Sequence, residues 1–240
     1  MEDFGSTSTI ERIKPGVVLK QPLDFKTKGL ADKVNRCFSV EPLILRKLGH
    51  HPRIVKYFGQ QDRGLLLSQA SHGNLQTYID ENDSFIDLHQ RMIWCRQLTE
   101  AIMHIHSHGV IHFDLRPRNI LVHETKPGSR DLLLCDFGGA TCDEMVQSIP
   151  ALDIFGLGSL FYTILMGHWP YRSSPGPPET IDEKITYEME VSKCFSQGEF
   201  PDVTKLVGGS VIMGCWTKQY ATAEEVLYAL DREMQITVLV

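Results

Sequence analysis

The sequence has little that would indicate a secreted, membrane-bound or repetitive protein. Met1-Glu2-Asp3 is acidic and no apolar run follows it, so we expect no signal peptide. The longest uncharged stretch, residues 154–171, contains three glycines, a histidine and a proline, which favours a buried core helix over a membrane span. There is no internal repeat and no low-complexity block.

Basic charge and metal-type cysteine spacing are also scarce. Lysine and arginine number 24 against 30 acidic residues, and they are scattered, so we expect neither a nucleic-acid partner nor a membrane partner. The six cysteines lack metal-type spacing and are typical of reduced thiols, so a cytoplasmic location is expected. The length of 240 residues fits one two-lobed unit or two small domains.

Two motifs suggest a specific chemistry. The sequence HFDLRPRN at 112–119 is followed by DFG at 136–138, and apolar runs at 120–122 and 132–134 flank the interval between them. A DFG triplet alone is a common turn, but the ordered pair is far more specific. Phosphoryl transfer from a nucleotide needs a carboxylate that accepts the proton of the incoming hydroxyl, and oxygen ligands for Mg²⁺. Asp114 fits the first role, and Asn119 and Asp136 fit the second.

These motifs resemble the catalytic loop and the metal-binding loop of the eukaryotic protein kinase family. That resemblance implies an α+β, two-lobed fold with a small β-rich N-lobe and a larger, mostly helical C-lobe. We expect the N-lobe at 1–69, with a nucleotide-binding sheet and one helix, and the C-lobe at 70–240. ATP and Mg²⁺ are the implied cofactors.

The pattern of apolar residues and turn signals agrees with a sheet followed by helices. Pro15-Gly16 predicts a turn, and Gly49 predicts the end of a short helix. Thr222 and Glu225 predict a capping box at the last helix. The predicted strands are 9–13, 17–20, 54–58 and 65–69, and the predicted helices are 42–48, 88–105 and 154–166.

The resemblance also assigns nucleotide-binding roles. Lys20 ends the run Val17–Lys20, which looks like the family's V-A-I-K strand, so it is expected to hold the α- and β-phosphates and to serve catalysis. Glu41 is its expected ion-pair partner. Because Pro42 follows directly, Glu41 is predicted to stand at the very start of its helix, where it could instead complement the helix dipole.

Other nucleotide contacts are implied at the glycine-rich loop and at the hinge. With Ile10 aligned on the family's valine, Gly5 and Ser6 fall in the phosphate loop, where one glycine survives and almost no chain precedes it to form a first strand. Ser68 and Ala70 lie at the expected hinge between the lobes, which in the family lends backbone groups to the adenine.

Several positions depart from the family pattern. Phe113 replaces an arginine that receives an activation-loop phosphate, so control by loop phosphorylation is not expected. Arg116 stands where Ser/Thr-type kinases have a lysine that contacts the transferring phosphate, and Pro117 fits that type. Asp153 matches the aspartate that supports the catalytic loop. The three histidines His104, His106 and His108 do not share one helical face, so no metal site is expected.

The largest departure follows the DFG triplet. Only fourteen residues, 139–152, stand where the family has an activation segment about twice as long. No A-P-E triplet is present, although 149–151 is a remnant, and no arginine follows Cys215-Trp216 within 217–222. The platform for peptide substrates is therefore expected to be missing, and activity on generic peptides is expected to be poor.

Three hypotheses remain open. The chain could be a Ser/Thr-type phosphotransferase that uses Mg-ATP on a protein hydroxyl, or it could apply the same chemistry to a small-molecule hydroxyl. It could also be a pseudokinase that serves as a binding or regulatory module. The intact Lys20, Asp114, Asn119 and Asp136 favour catalysis. The weak glycine loop and the short segment favour the pseudokinase.

Overall fold

A computed structural model describes residues 3–4, 7–142, 150–172, 174–178 and 180–238. The strands are β1 Asp3–Phe4, β2 Ser8–Lys14, β3 Val17–Pro22, β4 Tyr57–Gln61, β5 Gly64–Ser68, β6 Ile120–His123 and β7 Asp131–Leu134. The helices are α1 Lys28–Leu48, α2 Leu75–Asn82, α3 Leu88–Ser107, α4 Pro150–Met166, α5 Ile181–Ser196, α6 Gly209–Trp216 and α7 Ala223–Val238. Short 3₁₀ turns cover Asp83–Phe85, Pro117–Asn119 and Phe137–Gly139.

The N-terminal part is an antiparallel sheet with the strand order β1-β2-β3-β5-β4. As predicted, β2 and β3 are joined at Pro15-Gly16, where the positive φ of Gly16 (78°) suits a residue without a Cβ. The register pairs Ile10 with Lys20. A first strand does form, but β1 has only two residues paired with β2.

The strand predicted at 54–58 begins three residues later, at Tyr57. Ile54 instead forms an isolated parallel bridge with Leu134, which ties this loop to β7. The β4–β5 turn is tighter than predicted, with Asp62 in the left-handed region at φ 52°. The apolar run at 54–58 contacts two partners, β7 through Ile54 and β5 through Tyr57. The sequence pattern alone does not show where one contact ends and the other begins.

Helix α1 is the largest correction. It runs from Lys28 to Leu48 with Pro42 in its interior, so Glu41 is the fourteenth of 21 helical residues and does not lie at the start. Proline removes one backbone hydrogen bond, to the carbonyl of Phe38, at a cost of about 3 kcal/mol in a helix interior. Burial of an apolar side chain contributes about 1.5–3 kcal/mol. The buried apolar residues of α1 outweigh the proline; they are Val34, Phe38, Ile44, Leu45 and Leu48.

The C-terminal part is helical around one continuous core. Helix α3 ends at Ser107, two residues beyond the predicted range and ahead of Gly109 at φ 66°. Helix α4 begins at Pro150, four residues before the predicted start, and the first turn is a favoured position for proline. At α7 the Thr222 hydroxyl accepts from the Glu225 N–H (3.3 Å), as the capping box predicts, but the Glu225 carboxylate accepts from Ala221 N–H instead of Thr222. Arg96 of α3 pairs with Asp231 of α7.

The order of elements is a sheet with one long helix, followed by helices around the β6–β7 hairpin. This is the predicted α+β, two-lobed arrangement with a β-rich N-lobe and a helical C-lobe. Within the described ranges, no helix is both long and apolar enough to cross a membrane.

Candidate active site

Lys20 lies between two carboxylates that come from distant parts of the chain. Its Nζ is 2.7 Å from Glu41 Oε2 and 2.8 Å from Asp136 Oδ1. The lysine is only 7% exposed. Burial alone would lower the pKa of Lys20, but the two carboxylates raise it above its ordinary value, so the ammonium group stays charged. The Lys20–Glu41 ion pair therefore forms although Glu41 is not at a helix start.

Glu41 also connects helix α1 to the turn that follows β7. Its Oε1 accepts a hydrogen bond from the Phe137 N–H (3.3 Å). The next residue, Gly138, approaches α1 so closely that an added Cβ would lie 2.9 Å from the Cβ of Cys37. Glycine at 138 thus permits the contact that keeps Asp136 beside Lys20.

Asp136 adopts a left-handed backbone conformation (φ 64°, ψ 70°), which is uncommon for a residue with a side chain. Burial would raise the pKa of this carboxyl, but the charge and hydrogen bond of Lys20 hold it below its usual value. Asn119 lies across the β6–β7 hairpin, where its carbonyl accepts from the Cys135 N–H (2.9 Å). The hairpin register thereby brings the two predicted metal ligands to one end of the same ladder.

Asp114 is fixed by two neighbours in the same loop. The Asn119 side-chain nitrogen donates to its Oδ2 (2.9 Å) and to its carbonyl (2.8 Å). Arg116 forms an ion pair with the other carboxylate oxygen. The Asp114 side chain remains 38% exposed, so it is accessible to an incoming hydroxyl. The Arg116 side chain is 46% exposed and is therefore also accessible from solvent.

Buried groups behind the loop hold its backbone. Asp153, 1% exposed, accepts from the N–H groups of His112 (2.8 Å) and Phe113 (3.0 Å), as the resemblance implied. Phe113 has a positive φ of 65°, a strained conformation for a bulky residue. The two hydrogen bonds that Asp153 accepts stabilise this bend, directly before Asp114.

His112 was not singled out from the sequence. Its Nδ1 accepts from the Asp114 N–H (3.3 Å), so its Nε2 carries the proton and donates to the Cys135 carbonyl (3.0 Å). One fully buried imidazole thus joins the residue before the DFG triplet to the loop that carries Asp114. Its position two residues before Asp114 was the available signal.

The other predicted nucleotide contacts lie along the sheet. Ile10 is the cross-strand neighbour of Lys20, so the two side chains share a face. Ser68 ends β5 opposite Val17, and Ala70 is half-buried in the extended segment after it. Gly5 and Ser6 lie outside the described residues.

The donor set fits the implied cofactors. Because the Asn119 amide nitrogen is used by Asp114, its amide oxygen is the atom left for a metal ion. That oxygen and the Asp136 carboxylate are hard oxygen ligands of the kind Mg²⁺ prefers. Lys20 supplies a fixed positive charge for phosphate oxygens.

The three histidines at 104, 106 and 108 have partners within the protein. His106 Nε2 forms a hydrogen bond with Asp153 (3.1 Å), and His104 stacks on His51 at 4.2 Å between ring centroids.

Asp114 lines a cavity of about 330 Å³. The catalytic loop, α4 and α5 form its walls. Asp114, Arg116, Lys184 and Glu188 contribute charged groups, and aromatic rings including Trp169 form much of the remainder.

The segment between the 3₁₀ turn Phe137–Gly139 and the start of α4 at Pro150 has ten residues, 140–149. Of these, 143–149 lie outside the described residues. The remnant noted at 149–151 falls partly there.

The fold and the site together define a protein of the kinase type, with a lysine–glutamate pair beside the DFG aspartate and a further aspartate held in the loop before β6. The family model described as "Protein kinase domain" matches residues 24–149, more than half of the chain. The chain belongs to the protein kinase family.

Its relatives include serine/threonine kinases. Ribosomal protein S6 kinase alpha-2 of Homo sapiens is 29% identical over 201 residues, which cover 73% of this chain and 27% of the relative. Aurora kinase of Yarrowia lipolytica is 26% identical over 207 residues, covering 78% and 56%. Serine/threonine-protein kinase SBK2 of Rattus norvegicus is 30% identical over 168 residues, covering 57% and 45%. The chain thus spans about a quarter of the length of the S6 kinase relative.

Proposed function

We propose that this chain is an ATP-dependent phosphotransferase of the Ser/Thr protein kinase type, which moves the γ-phosphoryl group to a hydroxyl acceptor. The observation that carries the proposal is the placement of Lys20 Nζ within 2.8 Å of both Glu41 and Asp136. The lysine–glutamate ion pair and the DFG aspartate beside it are two of the parts that phosphoryl transfer in protein kinases requires.

The residues divide the work as follows. Lys20 binds the α- and β-phosphates, with Glu41 holding it in place, and Ile10, Ser68 and Ala70 contact the nucleoside. When bound, Mg²⁺ supplies charge neutralisation at the phosphates, and Asn119 and Asp136 are the residues that would hold it. Asp114 accepts the proton of the acceptor hydroxyl through its exposed carboxylate. Arg116 orients that carboxylate and offers a positive charge to the transferring phosphate.

A small-molecule acceptor is the second candidate, and the cavity beside Asp114 favours it. A volume of about 330 Å³ is at the lower end of the range for small-molecule sites. Its charged residues and aromatic walls could orient a compact alcohol within reach of the Asp114 carboxylate.

The direct test is phosphoryl transfer by the native chain and by Asp114→Asn. This substitution keeps the size of the side chain but removes the base, so turnover should fall by about 10²–10⁴-fold. Binding of Mg-ATP should stay nearly unchanged, because the new amide oxygen can still accept the hydrogen bond from Asn119 and the backbone carbonyl keeps the other one. Equal turnover in the two proteins would show that Asp114 is not the base, and the absence of transfer to any hydroxyl acceptor would favour a pseudokinase.

A further inference from the structure

Helix α5 exposes an apolar stripe. Ile181, Ile185 and Met189 recur every four residues, so they share one face of the helix. They are 78%, 51% and 69% exposed. No residue of this 16-residue helix is buried. A helix with this much exposed apolar surface is typical of an interaction site.

Two contacts attach α5 to the rest of the molecule. The Tyr187 hydroxyl donates to the Pro170 carbonyl (3.0 Å), and near the end of the helix the Phe195 ring packs edge-on against Phe155 of α4 at 4.9 Å between ring centroids. These contacts fix the orientation of α5 and leave the three side chains of the stripe exposed.

The stripe adjoins the cavity beside Asp114. Glu188 lines that cavity and follows Ile185 by three residues, so it is the neighbour of Ile185 on the helix surface. Lys184, also in the cavity wall, is paired with Glu188 at 4.0 Å. A partner lying along the stripe would consequently reach the groups that surround the candidate base.

Size and charge indicate the kind of partner. A stable dimer buries about 800 Å² on each copy, far more than three side chains provide, so the stripe suits transient docking better than self-association. Helix α5 carries four acidic residues, Asp182, Glu183, Glu188 and Glu190, against two lysines, and the whole chain has a net charge of -6. A second copy would therefore meet like charge, whereas a basic segment would meet opposite charge.

We propose that the stripe of Ile181, Ile185 and Met189 docks a basic, amphipathic helical segment of the protein that carries the acceptor hydroxyl. The inference rests on the proposed function for its acceptor part. From Ile181 to Met189 the stripe runs about 12 Å along the helix axis, which two turns of a partner helix can cover. Docking on the stripe would supply affinity for the acceptor protein, which the short activation segment does not provide.

The binding test selects peptides from a phage-displayed library of random 16-residue sequences on the whole chain. We expect enrichment of peptides with apolar residues at i and i+4 beside lysine or arginine. Ile185→Asp combined with Met189→Asp should weaken binding of the synthesised peptides at least about tenfold. Tyr228→Asp places the same charge at an exposed apolar residue of another helix, α7, and should leave affinity within about twofold. Enrichment of acidic peptides, no enrichment, or binding that survives the double variant would overturn the docking surface.

Folding of the variants is checked by their melting temperature and by the rise in melting temperature that Mg-ATP produces. Neither quantity should differ from that of the native chain. Ile181→Asp, at the most exposed residue of the stripe, gives the same test should the double variant unfold. The selected peptides should also bind less tightly to the Ile181→Asp protein.

The acceptor part is tested by fusing a serine-containing segment to a selected peptide. Transfer to the fusion should exceed transfer to the unfused segment at least about tenfold, and the double variant should remove the gain. If the native chain phosphorylates other acceptors but gains nothing from the fusion, the stripe does not dock the acceptor. If no acceptor is phosphorylated at all, the proposed function fails, and the binding test still decides the docking surface.

Discussion

Lys20 is the residue on which the candidate site depends most. Its ammonium group forms ion pairs with both Glu41 and Asp136, and the three groups join β3, α1 and the turn after β7. A buried ion pair contributes little net stability compared with an apolar pair, but removing one member leaves an uncompensated charge. The pair is therefore better evidence for a functional requirement than for a stability requirement.

Lys20→Met should lower the free energy of unfolding by about 3–5 kcal/mol, because Glu41 loses its partner inside the protein. Burial raises the pKa of Glu41, so without Lys20 the folded protein keeps a proton that the unfolded chain releases above pH ~4.3. The loss of stability should thus be greater at about pH 8 than at about pH 5. Urea denaturation at the two pH values measures this.

The matched control is Lys14→Met, at an exposed lysine of the neighbouring strand β2. It should change stability by no more than about 0.5 kcal/mol. A Lys20→Met protein as stable as this control, with no dependence on pH, would contradict the role of the pair.

At the scale of elements, local sequence patterns predict the strands and helices well where local contacts alone determine the structure. The β2–β3 hairpin, the end of α3 at Gly109 and the strands beside the two motifs followed from turn chemistry and short apolar runs. Helix α1 did not, because its interior Pro42 is a local signal for a helix start that tertiary burial overrides. The position of Glu41 was wrong for that reason, while its pairing with Lys20 was right.

The contact between α1 and the DFG turn gives a prediction at this scale. In Gly138→Ala the new methyl group would lie 2.9 Å from Cys37 Cβ, a contact that neither backbone can relieve without moving. We expect a loss of about 1–3 kcal/mol in the free energy of unfolding and weaker Mg-ATP binding. Differential scanning fluorimetry with and without Mg-ATP measures both.

Gly139→Ala is the control, since a Cβ at 139 meets nothing within 4 Å and its φ is not positive. This substitution should be close to neutral. Equal effects of the two substitutions would show that the close approach at 138 has no part in holding Asp136 beside Lys20.

For the whole molecule, the candidate site exists only where the sheet, α1 and the β6–β7 hairpin meet. Motif order in the sequence predicted which residues take part, because the family resemblance carries that information. It did not predict the support from His112 or the cavity beside Asp114, since both depend on contacts between elements that are distant in the chain. The exposed stripe of α5 was visible as an i, i+4 pattern, but such a pattern equally describes a core-facing helix.

The central claim, that Lys20, Asn119 and Asp136 form a Mg-ATP site, is tested most directly by thermal unfolding with ATP alone, Mg²⁺ alone and both together. At about 100 times the dissociation constant, Mg-ATP should stabilise the fold by about 2.7 kcal/mol. ATP without Mg²⁺ should stabilise it less, because the two oxygen ligands then have no metal to hold. An unchanged melting temperature at millimolar Mg-ATP would contradict the account.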